Sequence, residues 1–173
     1  ITFTSFKDSM GNTDIPSGSG AIISSDGIVT IPSNPSILFH GAMNQGKDLI
    51  VATATMSPSK STGVHGYNLL IMQKAGGTFS NSDLQGTWNG HVVTSGDSPQ
   101  WIGWASFTAS IDSGGNMTFT SITRSDGNSS LPPTKILSTT SSGIITELTG
   151  DPSFHGTINQ AKNMIVATLN DGG

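Results

Sequence analysis

Four histidines, eleven acidic side chains and three tryptophans hold most of the chemical potential of this 173-residue chain. His40 and His155 each stand between a phenylalanine and a glycine. An imidazole so placed is a candidate metal ligand or general base. On a strand, successive side chains point to opposite faces, so each histidine should leave the face that carries its phenyl ring. No second histidine or carboxylate stands at ligand spacing on the same stretch, and a duplicated triplet suits a structural part used twice. His65 and His91 read as loop and strand-surface residues. For calcium, Asp8, Asn12 and Asp14 come nearest to the oxygen shell such an ion takes. The counterpart at 125–130 lacks the second acid, so turn chemistry is the stronger reading there, and no metal or other cofactor is expected. Glu147 is the sole glutamate, and no Ser-His-Asp ordering, carboxylate pair or phosphate-cradling glycine loop stands out, so the chain is not expected to be an enzyme. Trp88, Trp101 and Trp104 could form an aromatic platform for a sugar or lipid. Trp101 and Trp104 are three apart, so a regular strand sends them to opposite faces and one into the core. Core packing is the stronger reading for the group.

The elements that would position these residues are short strands. Apolar and polar residues alternate in brief runs broken by Gly, Asn, Asp, Ser and Pro, and no longer stretch keeps a helical period. Strands are expected at 2–7, at 21–25 and 28–32 around a tight primed Asp26-Gly27 turn, and at ILFHGAM and DLIVATAT across NQGK. Further strands are expected at 67–74 beyond the SPSKSTGVHG linker, from DLQGTW at 83–88 on to Thr94, at 101–111, and at 117–124 after a turn at 112–116.

The strongest signal is internal. FHGAMNQGKDLIVAT at 39–53 returns as FHGTINQAKNMIVAT at 154–168, identical at 10 of 15 positions. The FHG triplets stand 115 residues apart, whereas ITFTSFK and its echo MTFTSIT stand 116 apart. One residue has therefore been lost between Thr146 and Phe154. A loop must absorb it, because a deletion inside a strand turns every side chain to the wrong face. The repeat is about 115 residues and about eight strands long, and the chain holds about one and a half copies. The expected division is 1–76, the later strands of one copy, and 77–173, a second copy lacking its last strand. The alternative is a permuted barrel at 1–112 with a partial module at 113–173.

Composition excludes several roles. Charged residues are 10% of the chain, against roughly 25% in an average domain. The net charge of −4 comes without any basic stripe, so a nucleic-acid partner is not expected. The absence of cysteine rules out disulfides and thiolate metal sites. The longest apolar run, LLIM, is far short of the ~20 residues of a helical membrane span. A surface wetted by Ser, Thr, Asn and Gly points to a secreted or cell-surface protein, expected to be bacterial. The chain opens at Ile1, so either a removed leader or an origin inside a longer polypeptide is expected.

Gly86-Thr87-Trp88 on the first of a series of antiparallel strands resembles the lipocalin-like barrels. The resemblance implies Gly86 and Trp88 at a barrel floor and a small apolar ligand in the mouth, touched by Phe107, Phe119, Ile145 and Phe154. The chain has neither a Thr-Asp-Tyr motif on a later turn nor a disulfide. Over nearly its whole length it is also similar to tandem LxGTW…SGD…W…FHG…IVAT units of large secreted bacterial proteins, which carry no known chemistry. The resulting expectation is an all-β protein of antiparallel up-and-down barrel or sandwich modules. Its expected role is an extracellular structural subunit of a filament or array, a homopolymer joined by β-strand pairing. Phe39, Ile50, Val51, Phe154, Ile165 and Val166 would supply core or assembly contacts. The alternative is a lipocalin-like carrier of a small apolar ligand, or a glycan-binding surface.

Overall fold

Residues 20–31, 37–56, 66–95, 102–149 and 154–169 are described by the computed structural model, and apart from one 3-10 turn their regular structure is β. The chain divides into two compact units, Ile1–Lys74 and Ala75–Gly173. The first holds β1 (Ile22–Ile23), β2 (Ile28–Thr30), β3 (Ile37–Met43), β4 (Leu49–Met56) and β5 (Gly66–Gln73), hydrogen-bonded in that order. The second holds β6 (Gly86–Thr94), β7 (Gly103–Ile111), β8 (Asn116–Arg124), β9 (Lys135–Thr139), β10 (Ile144–Glu147), β11 (Phe154–Ile158) and β12 (Ile165–Leu169). These seven strands pair in sequence order, every neighbour antiparallel, in a sheet curled into a half-barrel.

Period-2 patterning shows directly in the burial. In β11, Phe154, Gly156 and Ile158 are buried while His155 is exposed. In β6, Trp88, Gly90 and Val92 turn inward between the exposed Thr87, Asn89, His91 and Val93. The inward side chains build one core in each unit. Val29, Phe39, Ala52 and Ala54 form the first, with Ile50, Leu70 and Met72 packed against them. Leu84, Leu137 and Ile145, each at 1% exposure or less, centre the second. Burying a side chain of that size contributes about 1.5–3 kcal/mol.

The two FHG hairpins have the same register. Phe39 pairs with Ala54 and Gly41 with Ala52, as Phe154 pairs with Leu169 and Gly156 with Ala167. Val29 pairs with Gly41 as Ile145 pairs with Gly156. The change of offset from 116 to 115 thus falls between β10 and β11, outside both strands. The turns match as well. Asn44 Oδ1 accepts from the backbone N–H of Asp48 and Leu49, and Asn159 Oδ1 accepts from those of Asn163 and Met164.

Each turn also forces a lysine into the left-handed region, Lys47 at φ 57° and Lys162 at φ 59°. That conformation costs an L-residue roughly 1–2 kcal/mol, which glycine avoids at some cost in chain entropy. Lys47→Gly should therefore raise the stability of the first unit by about 0.5 kcal/mol in a denaturant titration. Lys162 carries more: its Nζ lies 2.8 Å from Asp83 Oδ1 and 5.6 Å from the Phe79 ring centroid. Lys162→Gly should lower stability despite the same backbone relief. Equal effects of the two substitutions would show that these side-chain contacts add nothing.

Two expectations are corrected. The turn before β2 is not a primed Asp-Gly turn: the Gly27 N–H donates to Ser24 O, and Gly27, not Asp26, has positive φ. A longer turn with one left-handed glycine closes this hairpin. The strand expected from Asp83 starts at Gly86, because Asn81–Leu84 is a 3-10 turn. There the Asp83 carboxylate accepts from the Ser80 N–H and from Lys162, and Asn81 Oδ1 accepts from the Thr139 N–H. The Lys162 hydrogen bond, then that of Ser80, hold the Asp83 carboxyl below the usual aspartate range. The expected strand at 2–7 lies outside the described residues.

Candidate functional site

Trp88 belongs to the interior. Its Nε1 donates to Leu84 O at 2.7 Å, tying β6 to the 3-10 turn, and its ring packs against the second core. Phe107 meets Phe119 edge-on, centroids 5.3 Å apart and planes at 68°. Ile145 at 0% exposure and Phe154 at 8% are covered by protein neighbours, so neither offers surface to a ligand in this structure. Phe39 is buried likewise, and Ile50 and Ile165 are half-buried inward. Val51 and Val166 alternate with these and lie on the outer faces of β4 and β12, Val51 well exposed.

The histidines of the two FHG triplets are exposed on the faces opposite their phenyl rings, His40 between Thr30 and Thr53 and His155 between Thr146 and Thr168. Among the described residues no three His, Asp or Glu side chains gather closely enough to hold a metal ion. Trp101 and the calcium candidates Asp8, Asn12 and Asp14 lie outside the described residues. No helix among the described residues is long and apolar enough to cross a membrane.

Two surfaces remain. The first is the outer face of β6, β7 and β8. Register places Asn89 beside Thr108 and Ser121, and His91 beside Ser106 and Thr123. These residues line an open depression of about 240 Å³ whose base includes Gly90 and Phe107. A Cβ at Gly90 would run into the Phe107 ring, so any larger residue there has to displace that ring. A bulge shapes the same spot. Thr108 pairs with Ser121 but Ala109 pairs with Phe119, so Thr120 is the extra residue of β8, and its hydroxyl donates to Thr108 O. A bulge re-aims side chains, and here Thr120 and Ser121 are both exposed. Trp104, 53% exposed, stands on this face opposite Val93 and two residues along β7 from Ser106.

The second is the far edge of β12. In the first unit β4 is flanked on both sides, and its far edge takes β5 over eight residue pairs. β12 corresponds to β4 residue for residue, yet among the described residues it pairs with β11 alone. The consequence is visible in burial. Ala52 and Ala54 are 2% and 8% exposed beneath β5, whereas Ala167 is exposed and Leu169 is 43% exposed. Among the described residues β5 also pairs on one edge only, and its outward Leu69 and Ile71 are exposed.

Of these features, the sequence had singled out Trp104 and Phe107 and marked His91 as a strand-surface residue, but not Asn89, Ser106, Thr108, Ser121 and Thr123. Alternation against Trp88 and Phe107 sends them outward. That they meet in one depression follows from the pairing of three strands and the bulge, which no local pattern announces. Comparison of the chain with protein-family models, with curated proteins and with solved structures finds no match to any of them.

Proposed function

We propose that the protein is an extracellular structural subunit that joins to further copies by adding sheet edge to sheet edge, β5 of one copy alongside β12 of the next. The observation that carries this reading is the contrast between two equivalent strands: Ala52 and Ala54 of β4 are buried next to β5, while Ala167 and Leu169 of β12 lie open. An edge strand offers unpaired N–H and C=O groups as a template for another strand. Each backbone hydrogen bond so formed contributes about 0.5–1.5 kcal/mol, and burial of Leu169 adds to it. Because the two edges differ, the contact is heterologous and repeats without closing unless the rotation between copies happens to close a ring. The low-charge, cysteine-free composition supports a place outside the cell.

Size-exclusion chromatography with light scattering, followed by electron microscopy, tests the reading. Multimers at micromolar concentration are expected. Ala167→Lys, which puts a charge on the inward face of the β12 edge, should return them to monomer with an unchanged melting midpoint. A wild-type chain that stays monomeric under these conditions overturns the proposal.

A further inference from the structure

We infer that the outer face of β6, β7 and β8 is a binding site for a neutral saccharide, with Trp104 as the stacking surface and the depression beside it as the hydroxyl-reading part. A pyranose ring has C–H bonds on its faces and hydroxyls around its rim. It needs an exposed aromatic plane next to groups that both donate and accept. Trp104 and its cross-strand neighbour Val93, 53% and 87% exposed, are the apolar half of such a surface. Ser106, Ser121 and Thr123 each offer a hydroxyl that can donate or accept, Thr108 one that accepts, and His91 adds two ring nitrogens. Asn89 is held in place: its Oδ1 accepts from Thr108 Oγ1 at 3.0 Å, which leaves its amide N–H groups without a partner among the described residues.

Among the described residues the lining contains no lysine, arginine, aspartate or glutamate. A phosphate or sulfate would find no cation there, and a cationic ligand no carboxylate, so the chemistry favours an uncharged polyol. Arg124, the nearest base along β8, is engaged by the carbonyls of Asn128 and Ser130 and alternates to the other face. The opening is wide and the site lies on an open sheet face, which suits one or two sugar units of a longer chain.

The test uses the full chain with three neutral probes, cellohexaose, chitohexaose and mannohexaose, followed by calorimetry and tryptophan emission. At least one should bind with a millimolar or tighter Kd and change the emission. Trp104→Ala should weaken that probe about tenfold, while Trp104→Phe retains most of the affinity and Asn89→Ala loses several-fold. Circular dichroism of each variant should match wild type, since Trp104 is on the surface. Absence of binding by all three probes, or binding that survives Trp104→Ala, overturns the assignment.

Discussion

Gly115→Ala is expected to cost the second unit about 4 kcal/mol, most of its folding stability. Gly115 has φ 85°, where an L side chain is strained, and a Cβ there would run into Leu137 O. That obstacle is backbone and has nowhere to go. The Leu137 N–H donates to Gly115 O at 2.9 Å, so the two main chains are clamped at close range. The location magnifies the effect. β8 and β9 share only two register pairs, Asn116 with Ile136 and Met117 with Lys135, so this is the narrowest join in the seven-stranded sheet. Gly114→Ala is the control: that residue has no positive φ, and its Cβ would meet only side-chain atoms of Asn116 and Asp112, at 3.2 and 3.3 Å. It should cost less than about 1 kcal/mol. Denaturant titration followed by tryptophan emission measures both, and a loss below about 1 kcal/mol for Gly115→Ala would show that the join yields.

The same turn depends on an ionised carboxylate. Asp112 accepts from the Asn116 side-chain amide and from the backbone N–H groups of Asn116 and Gly114. The Asn116 side chain, then its backbone N–H, hold the Asp112 carboxyl below the usual aspartate range. A depressed folded value means that the contribution is complete above the ordinary aspartate pKa. It is lost as pH falls through the folded value.

Glu147→Ala should lower stability by about 3 kcal/mol, and removing its partner as well should recover most of the loss. The Glu147 carboxylate, 7% exposed, accepts from Lys135 Nζ through both oxygens at 3.0 Å and from Thr149 Oγ1 at 3.2 Å. Truncating it leaves the Lys135 ammonium, whose side chain is only 19% exposed, without its counter-charge. In the first unit the corresponding position is Ile31, packed against an apolar core with no ion pair. The double variant Lys135→Met with Glu147→Ile follows that precedent. It should come within about 1 kcal/mol of wild type, because a buried pair costs nearly as much to desolvate as it returns. A double-mutant cycle reads the coupling directly. If the double variant is as unstable as Glu147→Ala alone, the loss comes from packing and not from the stranded charge.

Much of the fold is legible in local patterns. The alternation at Phe154, His155 and Gly156 assigns their faces before any partner strand is known. The duplicated asparagine and lysine of NQGK and NQAK return the same turn in both units. The shift from 116 to 115 in the repeat locates a loop between β10 and β11. Legibility ends where distance along the chain begins. Trp88 and Trp104 each stand on a strand, yet one is tied to Leu84 inside and the other stands outside. Val51 beside Ile50, and Val166 beside Ile165, read as core or assembly residues in an unbroken apolar run, and since neighbouring strand residues face opposite ways only one of each pair is inward.

Local patterns carry the all-β character and the strands and turns of the FHG hairpins at 39–53 and 154–168. These depend on a period of two and on a few turn residues whose preferences act over four or five positions. Strand pairing is what gives equivalent strands different neighbours, so that Ala52 is buried and Ala167 is not, and what gathers six polar residues from three strands beside Trp104. Burial and proximity are sums over chain segments far apart in sequence. An edge is defined by the strand that is not beside it, and that is a property of the pairing and not of the residues at the edge.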